Sequence, residues 1–487
     1  MNIQRTWQEL LMLHPLTHIL FLFLSSSSQP TNNETVSSSD LLVLLSFKSF
    51  ITSDPTRALS SWSRNRAGAG AGAGNGTSNT KKKVPDFCKW MGVSCGDHRH
   101  PGCVTAIRLH GFGLVGTISP QLGNLTRLRI LNLSANSLGG EIPGSIGHCA
   151  ALGAMDLREN YLSGSMPSSL GLLSKLTFLS VNHNNLTGDI PMSFSNLTSL
   201  TNLDMLSNHF HGRIPSWLGN LTSLTHLELA QNGFTGHIPR HLGKLCNLVR
   251  FDVMSNKLEG PFPPSMFNIS SIEDFNIRFN QLKGSLPLDI GFRFPKLNAL
   301  ATHVTQFQGP IPASLSNASA LAYLFLGGSR YHGRIPRDIG IHGRLELFSV
   351  GNNSLQTTGP RDWDFLTSLT NCSKLRILDL EENNLEGVMP ITIANLSTEL
   401  YWIRIGRNKI AGTIPAGLGK FKKLTNVSLA DNLFTSSLPL DIGQIPSLQF
   451  LHLSHNIFYG QIPQSLGNLT KLTTLDLSHN SFSGGIP

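Results

Sequence analysis

Large apolar residues stand at the first, fourth and sixth positions of a unit that returns every 24 residues, with polar residues between them. The stretch from Leu448 to Lys471, LQFLHLSHNIFYGQIPQSLGNLTK, shows the pattern, with Leu448, Leu451 and Leu453 as the inward set. Alternation with a period of two predicts a short strand whose intervening residues point to the opposite face. The ninth position is asparagine in most units, for example Asn136, Asn160, Asn184, Asn208, Asn232, Asn256, Asn280 and Asn456. Its amide both donates and accepts, so it can satisfy backbone groups of its own and the adjacent unit and build a ladder. A proline then recurs with the same period, at Pro143, Pro167, Pro191, Pro215, Pro239, Pro263 and Pro287 and on to Pro463 and Pro487. Proline fixes its own φ and disfavours helix in the residue before it, which predicts an extended segment there. The following Leu-Gly-Asn-Leu stretch closes the far side of the unit.

A fixed period of this length with the core L-x-x-L-x-L-x-x-N marks a leucine-rich repeat. The fold expected is an α/β solenoid whose strands pair in parallel on a concave face. Residues 104–487 hold about sixteen coils, the last one incomplete. Strands about 4.8 Å apart make that an arc roughly 70 Å long. Solenoids of this kind work through an extended concave surface. Three irregularities interrupt the pattern: Thr305 and Ser329 replace the ladder asparagine, two units have 25 residues, and Leu345 to Lys374 has 30 and carries Asp362-Trp363-Asp364-Phe365. Insertions in solenoids map to one face, either as binding loops or as tolerated bulges.

The N-terminus reads differently. Residues 1–28 form a secretory signal, with Arg5 before the apolar run Leu16 to Leu24 and small serines after it. Residues 38–103 form a cap. There Ser39 and Asp40 are expected to start a helix through Leu41, Leu42, Leu44, Leu45 and Phe47, with Trp62 adding bulk, so that the apolar end of the solenoid is covered. Residues 64–86 are a Gly-rich insertion with a basic tail. Cys88 and Cys95 bracket Trp90, and in a secreted chain they predict a disulfide that clamps the cap. Adding Cys103, His98 and His100 gives five potential zinc ligands, but their spacing matches no zinc module.

Composition narrows the chemistry. Only 14% of residues are charged, and the net charge of +9 has a single dense basic run, Lys81-Lys82-Lys83, inside the insertion. A solvated linker explains that run, so no nucleic-acid partner is expected. Gly111 to Gly116 matches G-x-G-x-x-G but opens no helix, and no P-loop, metalloprotease or kinase signature is present. The chain is read as a non-enzyme without cofactor or metal. Cys149 and Cys372 replace the leucine of the Leu-Gly-Asn-Leu stretch and should be buried; Cys246 should be exposed.

Function must then sit where the units differ. The outward strand positions of the middle and late coils carry Arg250, Arg278, Phe279, His303, Tyr323, Phe325, Trp402, Arg404, Arg407, Phe450 and His452. Exposed aromatic and arginine side chains are typical of binding hot spots, which makes this stripe the candidate site for a peptide or protein ligand. Trp402 and Arg404 are expected to be replaceable with little loss of folding. Early coils place Asp156, Glu159, Ser180 and Asp204 there instead. Sequons for N-glycosylation recur with the repeat, at Asn124, Asn196, Asn220, Asn268, Asn317, Asn395 and Asn468 in the Leu-Gly-Asn-Leu phrase or its variants, and at Asn132 and Asn426 on outward positions.

The cap phrase C-x-W-x-G-V-x-C and the repeat L-x-x-L-x-L-S-x-N-x-L-x-G-x-I-P-x-x-L-G-N-L resemble plant extracellular leucine-rich repeats over residues 38–487, apart from the insertion. Asp362-Trp363, Phe365 to Leu369 and Asn371 to Leu375, with Asn395 to Ser397 and Arg407 to Ile410, resemble the receptor-kinase subfamily of the flagellin and elongation-factor sensors and the bacterial-blight resistance receptor. The resemblance implies a right-handed superhelix and the ectodomain of a cell-surface immune receptor at the plasma membrane. It also implies a microbial peptide as ligand, a shorter leucine-rich-repeat co-receptor kinase near the C-terminal coils, and a membrane helix and kinase beyond. The sequence stops at Pro487 within a unit, so the chain is read as a fragment or a truncated product. A secreted inhibitor or decoy acting on pathogen enzymes is the alternative.

Overall fold

The computed structural model describes residues 38–63, 86–96 and 102–486. The signal segment, nearly all of the Gly-rich insertion, His98 and His100 lie outside the described residues.

The strands predicted by the leucine pattern stack into one continuous sheet of seventeen. The first, Val93–Cys95, belongs to the cap and pairs antiparallel with Val104–Arg108. From there the sheet is parallel, and neighbours align position for position, as in Asn202, Leu203 and Asp204 against His226, Leu227 and Glu228. The inward leucines are fully buried, Leu200, Leu203, Leu224 and Leu227 among them. A second set of short parallel strands follows the ladder asparagine. It runs in one sheet up to Ser354–Leu355 and resumes at Glu386–Val388, on the far side of the 30-residue unit. The proline then leads into a short 3-10 helix on the convex side. Pro215, with φ −71° and ψ 137°, precedes Ser216–Asn220.

The cap helix Ser38–Ser49 seals the first coil with Leu44 and Phe47, both fully buried. Asp40 was expected at its start. It lies in the first turn, and its carboxylate also accepts from the backbone N–H of Val104 at 2.8 Å, so the start of the helix holds the first solenoid strand. Trp62 stacks on Trp90 with ring centres 5.6 Å apart and donates Nε1–H to the Met91 carbonyl. The Cys88–Cys95 disulfide is formed, with Cα atoms 5.5 Å apart. Cys103 lies beside it, its carbonyl accepting from the Gly96 amide. Cys149 and Cys372 are buried and Cys246 is exposed. The Cys149 thiol donates to the Leu122 carbonyl, and burial pushes its pKa to about 12.

Each ladder asparagine ties two coils. The Asn208 Nδ2 donates to the Val181 carbonyl of the preceding coil at 2.9 Å and to Leu206 in its own, while its Oδ1 accepts from Leu186 N–H at 3.0 Å. Where the ladder is interrupted, hydroxyls replace the amides. Thr305 Oγ1 donates to the Thr302 carbonyl and accepts from Phe307 N–H, and Ser329 Oγ donates to the same Thr302 carbonyl across the coil boundary. Thr302 stands where other units have leucine, and its hydroxyl bonds the Tyr331 hydroxyl at 2.9 Å, with both residues fully buried. The interruption is thus a repacked core.

The 30-residue unit is also packed inward. Trp363 is buried, stacks on Phe365 and donates Nε1–H to the Glu386 carbonyl. Asp362 accepts from the amides of Thr358 and Gly359 and pairs with Arg334 at 3.2 Å. Of the two expectations for this insertion, a binding loop or a bulge, the burial of Trp363 and Phe365 favours the bulge.

Removing one partner of a buried hydrogen bond strands the other, at about 1–3 kcal/mol, whereas removing both is close to neutral. Tyr331→Phe should therefore destabilise the chain by about that amount, and Thr302→Val with Tyr331→Phe should recover most of it. A denaturation double-mutant cycle checks this; additive losses would show that the two hydroxyls do not act as a pair.

Candidate functional site

The concave face is built from the third and fifth positions of each unit, on the strand, and the seventh and eighth, in the turn that follows. Arg250, Tyr323, Phe325, Trp402, Arg404, Phe450 and His452 lie on strands. Arg278, Phe279, His303 and Arg407 do not; they lie in the turn between strand and ladder asparagine. The eighth position of nearly every coil is left-handed, with φ 52° at Phe279 and 54° at Arg407. A non-glycine residue there carries roughly 1 kcal/mol of strain, and the bonded asparagine that follows holds the turn.

The stripe is less exposed than its outward positions suggest. Neighbouring coils stand so close that large side chains cover one another. Phe325 and Trp402 are only 7% and 8% exposed and pack with Ala301, Leu347 and Ile377 into an apolar cluster separate from the main core, with Tyr323 and Tyr401 against it. The guanidinium of Arg278, 4% exposed, lies 4.8 Å from the Phe325 ring centre. Its Nε donates to Asn276 Oδ1 at 3.0 Å, and burial, opposed by the charge of Asp252, lowers its pKa to about 10. His303 packs edge-on to Phe279 at 5.4 Å and lies over Gly327, where a Cβ would come within 2.8 Å of its ring nitrogen. Burial, then the Arg278 charge, lowers the His303 pKa to about 4, leaving a neutral ring.

The other arginines are held by acids that the candidate stripe leaves out. Arg250 bridges Glu228 at 3.4 Å and Asp274 at 3.0 Å. Arg404 lies between Asp379 and Glu381, and Arg407 between Glu382 and Asp431. Tyr323 donates its hydroxyl to Glu346 at 3.3 Å. Phe450 and His452 are half-buried on adjacent outward positions.

An acid column precedes the apolar cluster. Asp204, Glu228 and Asp252 occupy the same strand position in three successive coils. Aligning the units would have disclosed it, because all three sit at position five. Asp204 accepts from Ser180 Oγ, Asn182 Nδ2 and Leu206 N–H, and Asp252 from Met254 N–H and Asn276 Nδ2. Burial first, and then the charge of Asp204, push the Glu228 pKa from 4.5 to about 7, against the opposing charge of Arg250.

The sequons Asn124, Asn196, Asn220, Asn268, Asn317, Asn395 and Asn468 are all exposed on the 3-10 helices, away from this face. Among the described residues there is no group of acids, histidines and cysteines that could hold a metal ion, and no helix long and apolar enough to cross a membrane.

Parallel inner strands, a bonded asparagine ladder and a disulfide-clamped cap define a leucine-rich-repeat solenoid. Known families agree: the leucine-rich repeat region matches residues 113–349, the leucine rich repeat N-terminal domain residues 37–68 and 82–96, and the shorter leucine rich repeat residues 374–396, 447–469 and 471–487. More narrowly, the chain is similar to plant leucine-rich-repeat receptor kinases, of whose length it spans only a part. It is 47% identical over 79 residues to the receptor kinase-like protein Xa21 of Oryza sativa subsp. japonica, a match covering 16% of this chain and 8% of Xa21. The plant peptide hormone receptor RGFR1 in complex with RGF2 superposes with a TM-score of 0.68 at 35% identity, over 78% of this chain and 59% of that one. The ectodomain of GASSHO1/SCHENGEN3 from Arabidopsis thaliana, in complex with CASPARIAN STRIP INTEGRITY FACTOR 2, gives 0.67 at 27% identity, over 93% and 59%.

Two outcomes follow. A carboxyl whose pKa is higher in the folded than in the unfolded chain favours folding while protonated. The Glu228 contribution is therefore present below its unfolded value of 4.5 and lost as pH rises through about 7. Glu228→Gln should gain on the wild type in denaturation midpoint between pH 4.5 and 8; a constant difference across that range would refute the assignment. Trp402→Ala, contrary to the expectation from sequence, should cost about 3 kcal/mol by opening the apolar cluster, while Arg407→Ala, 61% exposed in its side chain, should stay within about 0.5 kcal/mol. Equal midpoints for the two variants would contradict the cluster.

Proposed function

We propose that this chain is the ligand-sensing ectodomain of a plant immune receptor kinase and that it binds an extended peptide or protein on its concave face. The observation that carries the reading is the contrast between the two faces of the strands. Inward positions repeat leucine, while outward ones change from acids to an apolar cluster to arginine–acid pairs within a few coils. A surface free to vary on a constant frame is what recognition requires. Homology to receptors whose structures hold peptide hormones supports a peptide, and the resemblance at residues 362–375 supports a microbial source. A co-receptor kinase docks near the C-terminal coils on this reading, and the chain travels the secretory route to the outer face of the plasma membrane.

The test is a chimera carrying these residues ahead of a receptor-kinase membrane helix and kinase, expressed in plant cells and treated with fractionated bacterial peptides. Ligand-dependent phosphorylation is expected, reduced at least tenfold by Tyr323→Ala with Phe450→Ala. A chimera silent to every fraction, together with inhibition of a microbial wall-degrading enzyme by the purified chain, would replace this reading with the secreted inhibitor.

A further inference from the structure

The concave face carries two features that a ligand has to match at once. The first is the column of Asp204, Glu228 and Asp252, three carboxylates on neighbouring strands in a chain of net charge +9. Arg250 reaches Glu228 at 3.4 Å, but it is bound more closely to Asp274 at 3.0 Å. Beside the column stands Asn182, only 6% exposed, whose Nδ2 is spent on Asp204 while its Oδ1 has no hydrogen-bond partner. The Oδ1 of Asn202, half-buried on the Asp204 strand, is likewise without one. Two amide oxygens beside the column thus lack donors, at the Asp204 end and away from the buried Arg278 guanidinium whose charge acts on Asp252. Such a surplus of buried acceptors is costly unless a donor arrives. The second feature is the cluster of Phe325, Leu347, Ile377 and Trp402, an apolar patch outside the main core.

We propose that the acid column takes the cationic side chain, lysine or arginine, of an extended peptide whose apolar residue lies on the Phe325–Trp402 cluster. This rests on the concave-face reading above and adds the chemistry of the ligand to it. The separation follows from the strand count. Leu347, in the middle of the cluster, is five strands beyond Glu228. At about 4.8 Å per strand that is about 24 Å, which an extended peptide spans in about seven residues. The cation displaces part of the Arg250–Glu228 contact and supplies the donors that the two asparagine oxygens lack. The apolar residue adds area to a patch that the strands cover only with one another. The chain direction of the ligand is free, so the spacing is the same read either way.

The probe is a library of random dodecapeptides displayed on phage and selected at pH 8, where Glu228 is ionised, on the secreted chain and on its Asp204→Asn, Glu228→Gln variant. Circular dichroism establishes that both are folded. Selection on the parent chain should enrich lysine or arginine about six or eight positions from an aromatic or large aliphatic residue, the even separations that put both side chains on one face of an extended peptide. A selected peptide remade with citrulline in place of its arginine, or norleucine in place of its lysine, should lose at least tenfold in affinity for the parent and less than twofold for the variant. Enriched peptides without a cation, or an equal loss on both chains, overturn the acid-column proposal. If such peptides are still weakened by Tyr323→Ala with Phe450→Ala, the concave-face reading stands. Peptides indifferent to every concave substitution, or no enrichment at all, overturn both.

Discussion

The hydrogen bonds of the ninth-position asparagine are the constraint on which the rest depends. A strand three residues long has little to hold it, and the turn after it leaves carbonyls and amides facing the core. One buried side-chain amide meets those groups on two coils at once, as Asn208 does for Val181, Leu206 and Leu186. The bonds fix the distance between coils and support the left-handed residue just before each asparagine. They also force the outward positions into vertical columns. The acid column and the apolar cluster exist because residues 24, 25 or, across the long unit, 30 apart are brought side by side in register.

The same geometry explains what recognition costs this molecule. Large or charged side chains on the concave face lie against their neighbours before any ligand comes. Arg404 is engaged by Asp379 and Glu381, and Trp402 by Ile377 and the rest of its cluster. A ligand must exchange such contacts for its own. Affinity then reflects the difference between the two sets, and the area covered is a poor guide to it. Pre-packing also holds the side chains in place, which lowers the entropy lost on binding.

Much of the frame was legible in the chain. The leucine spacing and the asparagine gave the strand and its ladder, and the Cys88–Cys95 phrase gave the clamp of the cap. Buried Cys149 and Cys372 were readable from the leucine position they occupy. What escaped was what depends on neighbouring coils. Trp402 and Phe325 look exposed in their own units and are covered by residues of other coils. Asp40 starts the cap helix as expected, but its bond to Val104, 64 residues away, was not readable. Thr305 and Ser329 look like a functional break, but Thr302 and Tyr331 rebuild that part of the core. Of the candidate site, the strand positions of residues such as Arg250 and Trp402 were legible, but the placing of Arg278, Phe279, His303 and Arg407 in turns was not. Their exposure was not, and neither were the acids Glu228, Asp252 and Asp274, which become conspicuous only when the columns are formed.

The steady rise of the coils has one more consequence. The solenoid advances by about 4.8 Å per coil and an extended peptide by about 3.3 Å per residue, so the two scales coincide only where three peptide residues span two coils. Between those points the side chains of a bound strand fall out of step with the columns beneath them. Successive side chains of an extended strand also alternate faces, so a ligand lying along this surface is read as on a vernier, at about every sixth residue, and most residues between are left to face water or a second protein.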